Sequence, residues 1–135
     1  MTTFFCPSCW AEVPEEEDLC RVCGCRISAY LEGKSYSERL IKALEHPEPT
    51  TPVRAAYILG MRKEPQAVPA LAWKANATSD VFLALACVEA LARIGTSEAL
   101  EQLGMLSKDS RALVAQKARE MMRSLAKRES EKDPF

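Results

Sequence analysis

TPVRAAYILGMRKEPQAVPALAWKANATSD, residues 51–80, runs directly into DVFLALACVEALARIGTSEALEQLGMLSKD, residues 80–109. The two stretches share one layout. Each opens on a capping residue, Thr51 or Asp80, continues as an apolar helix, breaks, and begins a second, shorter helix. In the first, Pro52 suits the opening helical position. Val53, Ala56, Tyr57 and Leu59 or Gly60 then form an apolar stripe whose small members permit close helix approach. The break RKEP comes next, and Pro65 starts a helix containing Val68, Leu71 and Ala72, with Pro69 early enough that its missing amide is harmless. In the second stretch Leu85, Val88 and Leu91 precede the break at Gly95-Thr96-Ser97, and Leu100, Leu103 and Leu106 mark the next helix. Aligning Ala67–Leu71 with Ala99–Leu103 sets Leu59 against Leu91, a period of 32 residues. A third, partial copy is SRALVAQKAREMMRSLAKR at 110–128, with Leu113, Val114, Ala118, Met121, Met122 and Leu125 as its apolar positions. Helix pairs repeating at such a period predict a stacked α-solenoid.

Upstream, SERLIKALEH at 37–46 places Leu40, Ile41 and Leu44 on one helix face, with Ser37 as the expected N-cap and Pro47 as the stop. The proline-rich HPEPTTP at 46–52 separates this helix from the repeats. VRAAYILGMRKEPQAVPAL resembles the HEAT-like repeats first noted in bilin lyases. In these, an Ala-rich helix opens on Val-Arg and ends in Leu-Gly, and a turn leads to an Ala-Val-Pro-Ala-Leu helix. The matching positions are Val53, Arg54, Ala55, Ala56, Leu59, Gly60, Ala67, Val68, Pro69 and Leu71. Ala90, Leu91, Ile94 and Gly95 keep the theme in the second copy, which lacks the Val-Arg opening. The resemblance covers about residues 50–125. It implies an α-solenoid with a binding surface, and no catalytic residues of its own.

The front of the chain has a different character. CPSCWAEVPEEEDLCRVCGC at 6–25 holds five cysteines, four of them in the pairs Cys6/Cys9 and Cys20/Cys23. A two-residue gap lets a tight turn aim both sulfurs at one point. Two such turns supply four soft ligands in a tetrahedron, which suits zinc. The ten residues between the pairs fit a short hairpin, with Pro14 and Glu15–Asp18 in its exposed loop. So small a segment cannot fold on apolar burial alone, and the metal would serve as its core. Four thiolates close the site to water or substrate, so its role is structural. FFCPSCWAEVPEEEDLCRVCGCRI resembles the short zinc-ribbon modules at the ends of many prokaryotic proteins, over roughly residues 4–27. By position the resemblance assigns one structural Zn²⁺ to Cys6, Cys9, Cys20 and Cys23. Trp10 stands where the first knuckle usually has Gly, and Leu19 replaces the second aromatic. Cys25 is a spare thiol, read as a bystander.

The expected organisation is a zinc ribbon at 1–27, a connector at 28–36, a HEAT-like domain at 37–128 and a flexible tail at 129–135, a mostly α protein with one small β-hairpin module. Charge tracks this division. Residues 1–33 carry six acids and two bases, and the remainder 16 bases and 13 acids, for a net −1 overall. That balance gives no global pull toward nucleic acid or anionic membrane. The longest apolar run, Val81–Val88, is too short to span a bilayer, and with no export signal visible the expected location is cytoplasmic, with reduced thiols.

Among single residues, His46 is the only histidine, and no nucleophile-plus-carboxylate arrangement surrounds it. Cys87 reads as core. Trp73 is a candidate binding anchor whose expected state is partial burial. Met122 belongs to a Met-rich end of the array that suits a cap, a dimer seam or a partner site. Arg119, Arg123 and Lys127 line one face of the last helix and can meet phosphate or an acidic protein surface. Tyr30, Leu31 and Tyr36 are placed to pack the ribbon onto the helical part of the chain. The function these features favour is a non-catalytic protein-interaction adaptor or assembly scaffold. The alternatives are nucleic-acid binding through the ribbon and the basic last helix, an accessory role in tetrapyrrole attachment, and a thiol sensor built on Cys25 and the zinc cage.

Overall fold

The computed structural model describes residues 4–14 and 17–132, with side chains through residue 128. Strands β1 (Phe4–Phe5) and β2 (Glu12–Val13) pair antiparallel, with Phe4 opposite Val13 and Phe5 opposite Glu12. The rest is helical: α1 (Ile27–Glu32), α2 (Tyr36–Ala43), α3 (Thr50–Arg62), α4 (Val68–Ala77, entered through a 3₁₀ turn at Pro65–Ala67), α5 (Val81–Ile94), α6 (Ser97–Leu106) and α7 (Ala112–Lys132). Among the described residues no helix is long and apolar enough to cross a membrane.

The hairpin lies elsewhere than expected. Its strands flank the first cysteine pair instead of spanning the ten residues between pairs, because the turn that aims Cys6 and Cys9 also reverses the chain. Glu15 and Glu16 of the expected loop lie outside the described residues. The expected connector holds α1, and α7 continues through Lys132, past residue 129 where the pattern predicts a tail. Residues 133–135 lie outside the described residues.

The helices form two layers. α3, α5 and α7 pack side by side, and α2, α4 and α6 lie against them. α5 is central, touching α3, α4, α6 and α7. It buries Leu83, Ala84, Cys87, Val88, Ala90, Leu91, Ala92 and Ile94, so it is apolar on most of its circumference, as a helix enclosed by neighbours must be. Leu44, Leu59, Leu71, Leu91, Leu103, Leu106 and Val114 complete the core. Cys87 lies within it, and burial pushes its thiol up to about 12.

Helix ends obey local chemistry. Asp80 accepts from the amides of Phe82 and Leu83, and Thr96 accepts from that of Ala99. α2 is capped by Ser35, not Ser37. The Ser35 hydroxyl accepts from the Glu38 amide at 3.2 Å while the Glu38 carboxylate accepts from the Ser35 amide at 3.5 Å, the reciprocal box that a Ser-x-x-Glu spacing permits. Ser37 is instead buried. α3 starts one residue before the expected Thr51 cap. The hydroxyls of Thr50 and Thr51 donate to Glu48 at 2.6 and 3.0 Å, and Pro52 falls in the first turn. Tyr57, Leu100, Leu113 and Met122, read as stripe positions, face solvent because the neighbouring helices cover only one side of α3, α6 and α7.

Two contacts set the spacing of the repeats. A Cβ on Gly60 would lie 2.8 Å from the Ala90 Cα, so α3 and α5 approach as closely as their backbones allow. Arg111 bridges copies: its guanidinium donates to the carbonyls of Ala75 (2.7 Å) and Thr78 (2.9 Å) at the end of α4, and Asp109 accepts from it at 2.8 Å. The bonds that Asp109 accepts from the Arg111 guanidinium and amide, with the charge of that guanidinium, hold its carboxyl down to about 2.

Gly60→Val is expected to lose about 1–3 kcal/mol of stability through overpacking, measured by urea denaturation. Gly104→Ala, whose new methyl meets nothing within 4 Å, serves as the control and is expected to leave stability unchanged or raised.

Candidate metal centre

The four paired cysteines converge. Each Sγ of Cys6, Cys9, Cys20 and Cys23 lies within 4.8 Å of the other three, and none of the four is in a disulfide. The shortest separations cross between turns: Cys6 to Cys23 at 3.6 Å and Cys9 to Cys20 at 3.7 Å. A tetrahedral ion with metal–sulfur bonds of about 2.3 Å needs sulfurs about 3.8 Å apart, whereas a disulfide needs about 2 Å. The donor set therefore has the composition and close grouping that a tetrathiolate metal requires.

The two turns are copies of each other, offset by 14 residues. The Cys6 amide donates to the Ala11 carbonyl and the Trp10 amide to the Cys6 carbonyl. In the second turn Cys20 donates to Cys25, and Gly24 to Cys20. Phe5 opposite Glu12 in the first corresponds to the bridge Leu19–Arg26 in the second. Amides of Cys23 and Val22 donate to the Cys20 sulfur and bring that thiol down to about 7. At Cys9 an amide bond from Ala11 acts the same way, but desolvation and bonding to the other three thiols win and push it up to about 12. Four thiolates at contact distance repel, and only a bound cation lets all of them ionise. Cys25 stays outside the cluster, half-buried, its thiol raised by burial and by the nearby sulfurs.

One knuckle residue breaks the pattern for a reason the structure supplies. Gly24 takes φ +76° with open space around it, whereas the equivalent residue, Trp10, takes φ +64°. A left-handed bulky residue costs roughly 1–2 kcal/mol. The indole offsets this by packing edge-on against the His46 ring, centroids 4.8 Å apart, while Phe5 packs on the same imidazole at 4.9 Å. His46 lies just past the end of α2, so it is the socket in which the cysteine module sits on the helices. Its Nδ1 accepts from the Glu48 amide at 3.0 Å. Burial lowers the His46 pKa, opposed in part by the Glu48 carboxylate. The module's other ties run through α1. The Asp18 carboxylate accepts from the Ser28 amide and hydroxyl, both at 2.8 Å, and Arg39 of α2 donates to the Leu31 carbonyl at 3.0 Å. Tyr36, expected at this junction, instead lies under Arg62.

The remaining sequence candidates occupy two separate surfaces. Trp73 on α4 is 61% exposed, beyond the partial burial expected, with the Lys74 ammonium 5.8 Å from its ring. Arg119, Met122, Arg123 and Lys127 are exposed on α7, where Arg119 also donates to the Ser107 carbonyl at 3.2 Å. None of the five lines the clefts between α3, α5 and α7. Those are lined by Tyr57, Met61, Arg93, Leu125 and Arg128; Met61, Arg93 and Leu125 share one register of the 32-residue period, and that is the signal in the sequence that marks this face.

The HEAT repeats family matches residues 37–123, well over half of the chain, and the chain belongs to that family. Comparison with curated proteins and with solved structures finds no match.

Purified protein is expected to hold one divalent metal per chain by elemental analysis, and Cys6→Ser with Cys20→Ser is expected to lose it while the far-ultraviolet helical signal persists. A second expectation concerns the socket. A histidine whose folded pKa is depressed contributes stability above its ordinary value of 6.5, and that contribution fades as pH falls through the folded value. Amide exchange in the 4–32 segment should therefore accelerate as pH is lowered below about 6.5, once corrected for intrinsic rates, and His46→Phe should flatten the response.

Proposed function

We propose that this chain is a zinc-structured protein-interaction scaffold with no catalytic activity of its own. The observation that carries the reading is the joining of a closed four-thiol site to a helical repeat array through the Phe5–His46–Trp10 socket. The soft donor set and the 3.6–3.7 Å sulfur spacing favour Zn²⁺ over harder ions. Such a site has all four positions filled by protein, so it supplies shape. HEAT repeats are extended surfaces stabilised between neighbours, and the ribbon covers the array at its first helix. The lone histidine is engaged by two rings and an amide. Nucleic-acid binding draws less support: Arg111, one of the bases near the last helix, is spent on the carbonyls of Ala75 and Thr78.

The test is reconstitution. A protein captured from native lysate, identified and purified, is expected to form a stoichiometric complex with this chain by analytical ultracentrifugation. Generic duplex DNA is expected to bind weakly at physiological salt. Tight duplex binding whose log affinity falls steeply with log salt, without a protein complex, would move the function to nucleic acid.

A further inference from the structure

The 32-residue period lays equivalent residues in rows across α3, α5 and α7. Met61, Arg93 and Leu125 form one row, and Tyr57, Glu89 and Met121 the next. Between them run clefts, one of about 480 Å³ lined by Met61, Lys63, Arg93, Leu125 and Arg128. Bare apolar side chains stand in this cleft and its neighbour: Met61 in the first and Tyr57 in the second are each 55% exposed. The rim is cationic. Arg54, Lys63, Arg93 and Arg128 border the connected clefts against one acid, Glu89, in a chain whose net charge is −1. Arg93 is pre-set: its guanidinium lies 5.4 Å over the Tyr57 ring, donates to the Met61 sulfur, and meets Glu89 at 3.0 Å.

Lys63 adds an independent observation. It ends α3 in the left-handed region at φ +53°, and 32 residues on, Gly95 ends α5 in the same region at φ +69°. The second repeat uses the residue that this backbone favours. The first keeps a lysine there, with no acidic partner among the described residues, on the rim of the cleft that Met61 and Leu125 line. Strain retained beside a cleft points to use of the side chain.

Resting on the scaffold reading, we infer that the α3–α5–α7 face docks an acidic protein segment. Its carboxylates meet Lys63, Arg93 and Arg128, and one bulky apolar side chain enters between Met61 and Leu125. Charge complementarity selects the carboxylates, and the exposed thioether and aromatic floor selects the apolar anchor. A phosphate backbone suits the face less well, since Glu89 lies within it and the floor offers a single aromatic ring.

The probe is a fluorescein-labelled peptide with one leucine or tryptophan flanked by Asp and Glu, read by polarisation against the full chain. Arg128→Glu is expected to weaken it about tenfold, and Lys63→Gly about fivefold. Lys63→Gly should at the same time raise the melting temperature by relieving the left-handed strain, which separates lost binding from lost fold. Peptides with lysine for the acids, or alanine for the anchor, should bind weakly. Equal binding of the lysine peptide, unchanged affinity in both variants, or displacement of the probe by duplex RNA at lower concentration than by unlabelled peptide would overturn the assignment. A native partner whose affinity ignores both variants would also overturn it, yet leave the scaffold reading standing. Absence of any protein partner would remove both.

Discussion

The backbone-to-backbone approach of α3 and α5 at Gly60 and Ala90 governs the helical part of this protein. Both residues are small where the helices cross, and a single added methyl would sit 2.8 Å from a neighbouring Cα. That crossing fixes where the ends of α3 and α5 lie, and so how far apart Met61 and Arg93 stand on the outer surface. It also forces α5 to be apolar nearly all round, since α4, α6 and α7 close the remaining sides. The clefts on the outer face are a by-product of this order: alanines pack the layer tightly beneath, and the larger side chains are left to project above it.

The cysteine module depends on the helices in a different way. It buries little apolar surface itself. Its four sulfurs supply the centre, and one aromatic pair attaches it to the end of α2. Trp10 carries both tasks, closing the first knuckle with an amide to Cys6 and resting its ring on His46. Local backbone preference and tertiary packing conflict at this residue, and packing prevails. Gly24, with no surface to rest on, keeps the unstrained choice.

Much of this is legible in the sequence because it rests on short-range chemistry. The helix pairs, the αL break at Gly95, the Asp80 cap and the convergence of Cys6, Cys9, Cys20 and Cys23 all arise from spacing. Features set by distant parts of the chain are not legible there. Nothing local marks His46 as a socket, because its partners Phe5 and Trp10 lie some forty residues away. Tyr57 and Leu113 read as core because an apolar residue on a helix carries no sign of whether a neighbour covers it. The pattern favours Ser37 over Ser35 as the cap because the reciprocal bond to Glu38 lies two residues upstream of the apolar positions. Nothing local marks Arg111 as a bridge between copies, and only the fold brings it to the carbonyls at the end of α4.

The order of these parts along the chain has a consequence for synthesis. The four sulfurs leave the ribosome before the imidazole on which their module rests, and that imidazole leaves before α3 exists to support α2. Nearly every packed pair of helices is adjacent or one element removed in sequence, so assembly can proceed in the direction of translation. Each new helix finds its partner already made. Both knuckles are complete while the rest of the polypeptide is still being extended.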